Sequence, residues 1–64
     1  MPLITLEAGR MDRNQKEQLI TEFTRIASDI LNIPADAFVV YLKENEPDNI
    51  GVGGKPLSKV LESK

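Results

Sequence analysis

The 64-residue chain contains no cysteine and no histidine. Without cysteine no disulfide can form. Without either residue, the sites that bind zinc and other soft metals lose their usual ligands. A Ser-His or Cys-His nucleophile pair is excluded on the same ground. Positive charge is also scarce: eight Lys and Arg stand against ten Asp and Glu, a formal net charge of −2. A nucleic-acid binder would present a basic face, so nucleic acid is not an expected partner. No apolar run approaches the ~20 residues of a membrane span, so a membrane is not expected either. The N-terminus lacks the charged stretch and apolar run of a secretory signal. A cytoplasmic location is the default expectation.

These absences sharpen a stability problem. A lone domain of about 60 residues buries only roughly 60% of its unfolded surface. Such domains are stapled by disulfides, by a metal or by association with other chains. Here only association is left open. Yet 41% of the residues are hydrophobic, too many for a disordered tail. The expectation is one self-associating domain over residues 1–64.

Along the chain, residues 3–8 read as a strand rich in Leu, Ile and Thr, closed by Gly9 and Arg10. Asp12 has the character of a helix N-cap, with Gln15 three residues on to complete a capping box. Apolar residues then fall at Leu19, Ile20, Phe23, Ile26, Ala27, Ile30 and Leu31. Steps of three and four mark one face of a helix. Lys16, Glu17, Thr21, Glu22, Arg25 and Asp29 are assigned to the opposite, solvated face. Asn32-Ile33-Pro34 ends the helix, because proline disfavours helical geometry in the residue before it.

Phe38 to Lys43 is the second strand, apolar on both faces as a doubly covered strand would be. The long helical connection predicts a parallel pair, hence a right-handed βαβ unit. Residues 45–49 form a turn by composition. Ile50-Gly51-Val52-Gly53-Gly54 holds three of the four glycines and predicts a short β-hairpin. In the tail, Lys55 to Lys64, the residues Pro56, Leu57, Val60 and Leu61 are expected to dock on a neighbouring copy. The fold class is α+β: a β-α-β subunit with a C-terminal hairpin. One helix covers only one face of such a sheet, so another copy must cover the rest.

Two generic motifs fail on inspection. Gly54-Lys55 suggests a phosphate loop, but that motif needs Gly at position 49 and Ser or Thr at 56. Those positions hold Asn49 and Pro56. Glu44, Glu46 and Asp48 alternate like calcium ligands, but the sixth and twelfth positions of the loop are Asn49 and Lys55. A solvated acidic turn accounts for them.

Pro2 carries the chemical signal. It follows Met1 and opens the first strand. If Met1 is removed, Pro2 becomes a rigid secondary amine rather than an amide. A free α-amine titrates at about 7.7–8.0, and an apolar site lowers that value. Such an amine is a base close to neutral pH, where general-base catalysis works best.

The ordered set of motifs now becomes specific. The Met1-Pro2 start, Gly9-Arg10, Gln15-Lys16-Glu17, Leu19-Ile20, Gly51-Val52-Gly53-Gly54 and Ser58-Lys59-Val60 together resemble the 4-oxalocrotonate tautomerase family. The resemblance covers nearly the whole chain. It implies β-α-β subunits that pair into dimers and assemble as a hexamer. It implies a keto–enol tautomerase acting on a small unsaturated 2-keto or 2-hydroxy acid. The N-terminal proline would move the proton, arginines would hold the carboxylate, and no cofactor would be required.

Residue by residue, Pro2 matches the family's catalytic proline and Arg10 matches the arginine after the first strand. The family's second arginine falls at Val39, and its active-site phenylalanine falls at Ile50. The resemblance therefore describes a divergent member. Each candidate also has a plain structural role: Arg10 as a surface charge, Ile50 as hairpin packing, Tyr41 as core or interface. Lys16, Arg25, Lys43 and Lys55 read as solvated, and any of them could replace the missing arginine from a neighbouring copy. Two alternatives stand beside the tautomerase: a non-catalytic oligomeric module, favoured by Val39, and a related proline-dependent dehalogenase or decarboxylase.

Overall fold

A computed structural model describes residues 1–62 of the chain. The first strand, β1, runs from Leu3 to Ala8 as its composition predicts. The helix α1 spans Arg13–Leu31. Its N-cap is Asp12, whose side chain accepts from the Gln15 amide at 2.8 Å, while the Gln15 side chain accepts from the Asp12 amide at 3.0 Å. Both halves of the capping box are thus formed, satisfying two of the amides that a helix start leaves without partners. The C-terminal end is built differently from expectation. Asn32 adopts a left-handed conformation at φ 58° and caps the helix with its amide on the Ser28 carbonyl. This closes the helix before Pro34 can act.

After a 3₁₀ turn at Ala35–Ala37 comes β2, Val39–Glu44. It starts one residue later than expected because Phe38 caps the 3₁₀ turn, donating its amide to the Ala35 carbonyl at 3.1 Å. β1 and β2 pair in parallel, Leu3 opposite Val39 through Ala8 opposite Glu44. The predicted β-α-β unit is therefore present. Ile4, Leu6, Val40 and Leu42 share the half-buried face that α1 covers.

The other face is bare. Leu3 and Tyr41 remain 55% and 53% exposed there. The second face of β2 was expected to be covered by another copy, and its bareness in one subunit fits that; of the two places expected for Tyr41, the core of the subunit is not where it lies. No described residue is fully buried. Ile26 and Ile30 sit on the apolar stripe of α1 yet stay 47% and 77% exposed. Lys16 departs the other way: it is half-buried rather than solvated, and its ammonium lies 2.9 Å from Glu44. Arg25 is exposed, as expected, and pairs with Glu22 and Asp29 along α1.

The C-terminal arm begins with a 3₁₀ turn at Pro47–Asn49. The strands β3, Gly51–Val52, and β4, Lys55–Pro56, form the hairpin. Its two-residue loop places Gly53 at φ 59° and Gly54 at φ 83°. Positive φ at both central positions is the type I′ requirement, which glycine meets without steric cost. The tail was expected to dock on a neighbouring copy, and no helix was assigned to it. Instead Leu57–Glu62 forms a short helix, α2, which packs on the 47–49 turn and on β4. The Ser58 hydroxyl donates to the Asp48 carboxylate, tying helix to turn. Ser63 and Lys64, the end of that tail, lie outside the described residues.

Candidate active site

Pro2 sits at the head of β1, half-buried, behind the exposed Met1. Its carbonyl accepts the Val39 amide at 3.0 Å. That bond extends the parallel ladder by one step and fixes the proline against β2. Its neighbours on the ladder are apolar: Leu3 follows it and Val39 pairs with Leu3.

Arg10 lies beyond the opposite end of β1. The strand has six residues, so its ends are roughly 17 Å apart at ~3.3 Å per residue. Within one subunit Pro2 and Arg10 cannot touch the same small molecule. Ile50 belongs to Arg10's end of the sheet, because it follows β2 and the 47–49 turn. It is half-buried, with its amide on the Pro47 carbonyl at 3.3 Å and its carbonyl accepting Leu57 at 2.7 Å. The plain role expected of it, hairpin packing, is thus present in the subunit.

Arg10 is strongly exposed but not free. Its Nε donates to Glu46 Oε1 at 3.0 Å, and a terminal guanidinium nitrogen lies 3.0 Å from the same oxygen. Next to this pair, Glu44 accepts the Met11 amide at 2.8 Å and holds Lys16 at 2.9 Å. The Met11 amide is the main reason the Glu44 carboxyl is held below its ordinary value; Lys16 adds to it and Arg10 contributes at longer range. The result is a cluster of two cations and two carboxylates at the C-terminal end of the sheet.

Glu44 and Glu46 are the site residues that sequence reasoning missed. They read as members of a solvated acidic turn. The signal that finds them is the strand register. Ala8 stands opposite Glu44, so two residues further on Arg10 comes opposite Glu46. No motif carries this, because the partners are 36 positions apart. Among the described residues no group of His, Cys, Asp or Glu is arranged to hold a metal ion. No helix of the described chain is long and apolar enough to cross a membrane.

A parallel strand pair backed by one long helix, with a proline at the head of the first strand and a glycine hairpin at the end, defines a small β-α-β subunit of the tautomerase type. The chain belongs to the tautomerase family: a family model described as tautomerase enzyme matches residues 3–60. A probable tautomerase of Listeria monocytogenes is 38% identical over 56 residues, covering 84% of this chain and 90% of that protein. The crystal structure of a 4-oxalocrotonate tautomerase homologue superposes with a TM-score of 0.83 at 25% identity, over 91% of this chain and 94% of its own. A fused 4-oxalocrotonate tautomerase, described as an asymmetric trimer, gives a TM-score of 0.73 at 28% identity, over 91% of this chain and 46% of that longer one. The resemblance read from the sequence motifs is thereby established, as is a tautomerase-type activity for the family to which the chain belongs.

Proposed function

We propose that the protein is a cofactor-free keto–enol tautomerase acting on a small unsaturated 2-keto or 2-hydroxy acid. Pro2 acts as the general base once Met1 has been removed. It takes a proton from one carbon of the substrate and returns it to another. Arg10 holds the substrate carboxylate, and Ile50 supplies an apolar wall. The observation that carries this reading is the place of Pro2, at the head of β1 in apolar surroundings with its carbonyl fixed by the Val39 amide.

Pro2 and Arg10 lie at opposite ends of one strand. If both act on one substrate, they come from different copies of the chain. The exposed sheet face and the absence of any buried residue among those described support self-association, and a hexamer is the assembly we favour. The trimeric description of the fused relative supports association in the same way. A cytoplasmic location fits this role.

Purified protein of verified intact mass tests the base. Protein starting at Pro2 should interconvert keto and enol forms, and its activity should fall at acid pH as the amine protonates. Pro2→Ala keeps an amine but loses the rigid ring. It should lose at least roughly tenfold in kcat, out of the 10²–10⁴ that a positioned base contributes. Full activity in Pro2→Ala, or in protein that retains Met1, would refute proline catalysis. A folded assembly with no activity on any enol acid would favour the non-catalytic module, which Val39 in the second arginine's position also favours.

A further inference from the structure

The Arg10 guanidinium already holds a carboxylate, that of Glu46. The manner of holding matters. Both nitrogens converge on a single oxygen, Oε1. A bidentate pair uses two carboxylate oxygens and is the stronger form. The Arg10–Glu46 pair is also largely exposed, with side chains 81% and 52% accessible. Exposed pairs of this kind hold by a factor of about five at most. A carboxylate that engages both nitrogens can therefore displace Glu46. Glu44 is different. Its two oxygens are committed to the Met11 amide and to Lys16, so it stays in place.

Taken together, Arg10, Lys16, Glu44 and Glu46 sum to zero formal charge. A monoanion entering here meets a neutral cluster. A dianion brings a second carboxylate towards Glu44 and the displaced Glu46, where like charges repel.

We propose that Glu46 is the specificity-determining residue of the Arg10 anion site: it occupies the guanidinium in the absence of substrate and, with Glu44 fixed beside it, selects monocarboxylates over dicarboxylates. Glu46 acts through Arg10 and is a positioning residue. This rests on the reading of Arg10 as the carboxylate anchor.

The test uses two 2-oxo acids of equal chain length, 2-oxopentanoate and 2-oxoglutarate, with methyl 2-oxopentanoate as the neutral control. Affinities are read by ligand-observed NMR titration of the intact assembly, so turnover is not required. The parent should bind the monoacid more tightly than the diacid. Glu46→Gln should tighten the monoacid by up to about fivefold and the diacid by more, leaving the ester unchanged. Glu46→Asp keeps the charge and should keep the monoacid preference. In an Arg10→Ala background, Glu46→Gln should change nothing. If Arg10→Ala leaves monoacid binding unaltered, or if the parent binds neither acid saturably, the Arg10 anchor itself is wrong. If Arg10→Ala weakens monoacid binding but Glu46→Gln leaves the mono-to-diacid ratio untouched, the anchor stands and the Glu46 proposal is overturned. Circular dichroism checks that the exposed substitutions leave the fold intact.

Discussion

The bare face of the sheet makes a quantitative demand. The subunit exposes 5109 Å², whereas a compact monomer of 7.1 kDa would expose about 4,100 Å². The excess of about 1,000 Å² is close to one partner's share, ~800 Å², of a standard protein–protein interface. The Cα radius of gyration agrees: 15.5 Å, against roughly 11 Å for a compact domain of this length. Tyr41 lies in the middle of the open face, opposite Thr5 and 53% exposed. A tyrosine buries about 150–250 Å² when fully covered, so covering its exposed half removes about 100 Å² from water. At ~25 cal/mol per Å² that contributes about 2.5 kcal/mol per subunit. Tyr41→Lys removes this term and adds a charge that must be desolvated. Sedimentation velocity at micromolar concentration is the assay. The parent should sediment as an assembly, for which we expect six copies of 7.1 kDa, and Tyr41→Lys should shift it to smaller species. A parent that is folded and monomeric at that concentration would refute the argument. An unchanged Tyr41→Lys assembly would show that this face is not the one covered.

Two further outcomes concern the helix start and the anion cluster. Asp12→Ala leaves the Gln15 amide without its acceptor and should cost about 1 kcal/mol, or roughly 4–8 °C in Tm for a domain of this size; differential scanning calorimetry reads it, and an unchanged Tm would mean that the cap does not contribute. Glu44 is held below its ordinary pKa of about 4.5 by Met11 and Lys16. A lowered native pKa contributes stability that is present above the unfolded value and is lost as pH falls through the native one. Urea midpoints at pH 7 and pH 3 should therefore differ less in Glu44→Gln than in the parent, and an equal difference would remove Glu44 from the acid response.

Where the sequence predicted structure well, one local rule dominated. The β1 bounds follow from a short run of β-formers closed by Gly9, and Asp12 with Gln15 dictates the helix start. Where it fell short, tertiary partners decided. β2 gains Glu44 and gives up Phe38, because the parallel ladder continues to Ala8 while Phe38 caps a 3₁₀ turn. The helix α2 was hidden by its length: Leu57, Val60 and Leu61 have helical spacing, but six residues are too few to form without the turn beneath them. At the candidate site, Pro2, Arg10 and Ile50 could each be named from their motifs. Their separation could not. That Arg10 and Ile50 share one end of the sheet while Pro2 stands at the other is a consequence of strand direction, and the Arg10–Glu46 pair depends on a register that only the folded chain defines.

The C-terminal arm is packed chiefly on itself, with α2 resting on the 47–49 turn and on β4. Residues there spend little of their surface on their own β-α-β unit. If the arm docks on a neighbouring copy, as its apolar residues lead us to expect, then in a cell carrying two alleles an altered arm would be inherited as a defect of that neighbour. Parent chains co-assembled with arm variants would suffer in proportion to the mixture, the pattern geneticists call dominant-negative. Two separately crippled chains, one changed at Pro2 and one at Arg10, could complement each other when mixed.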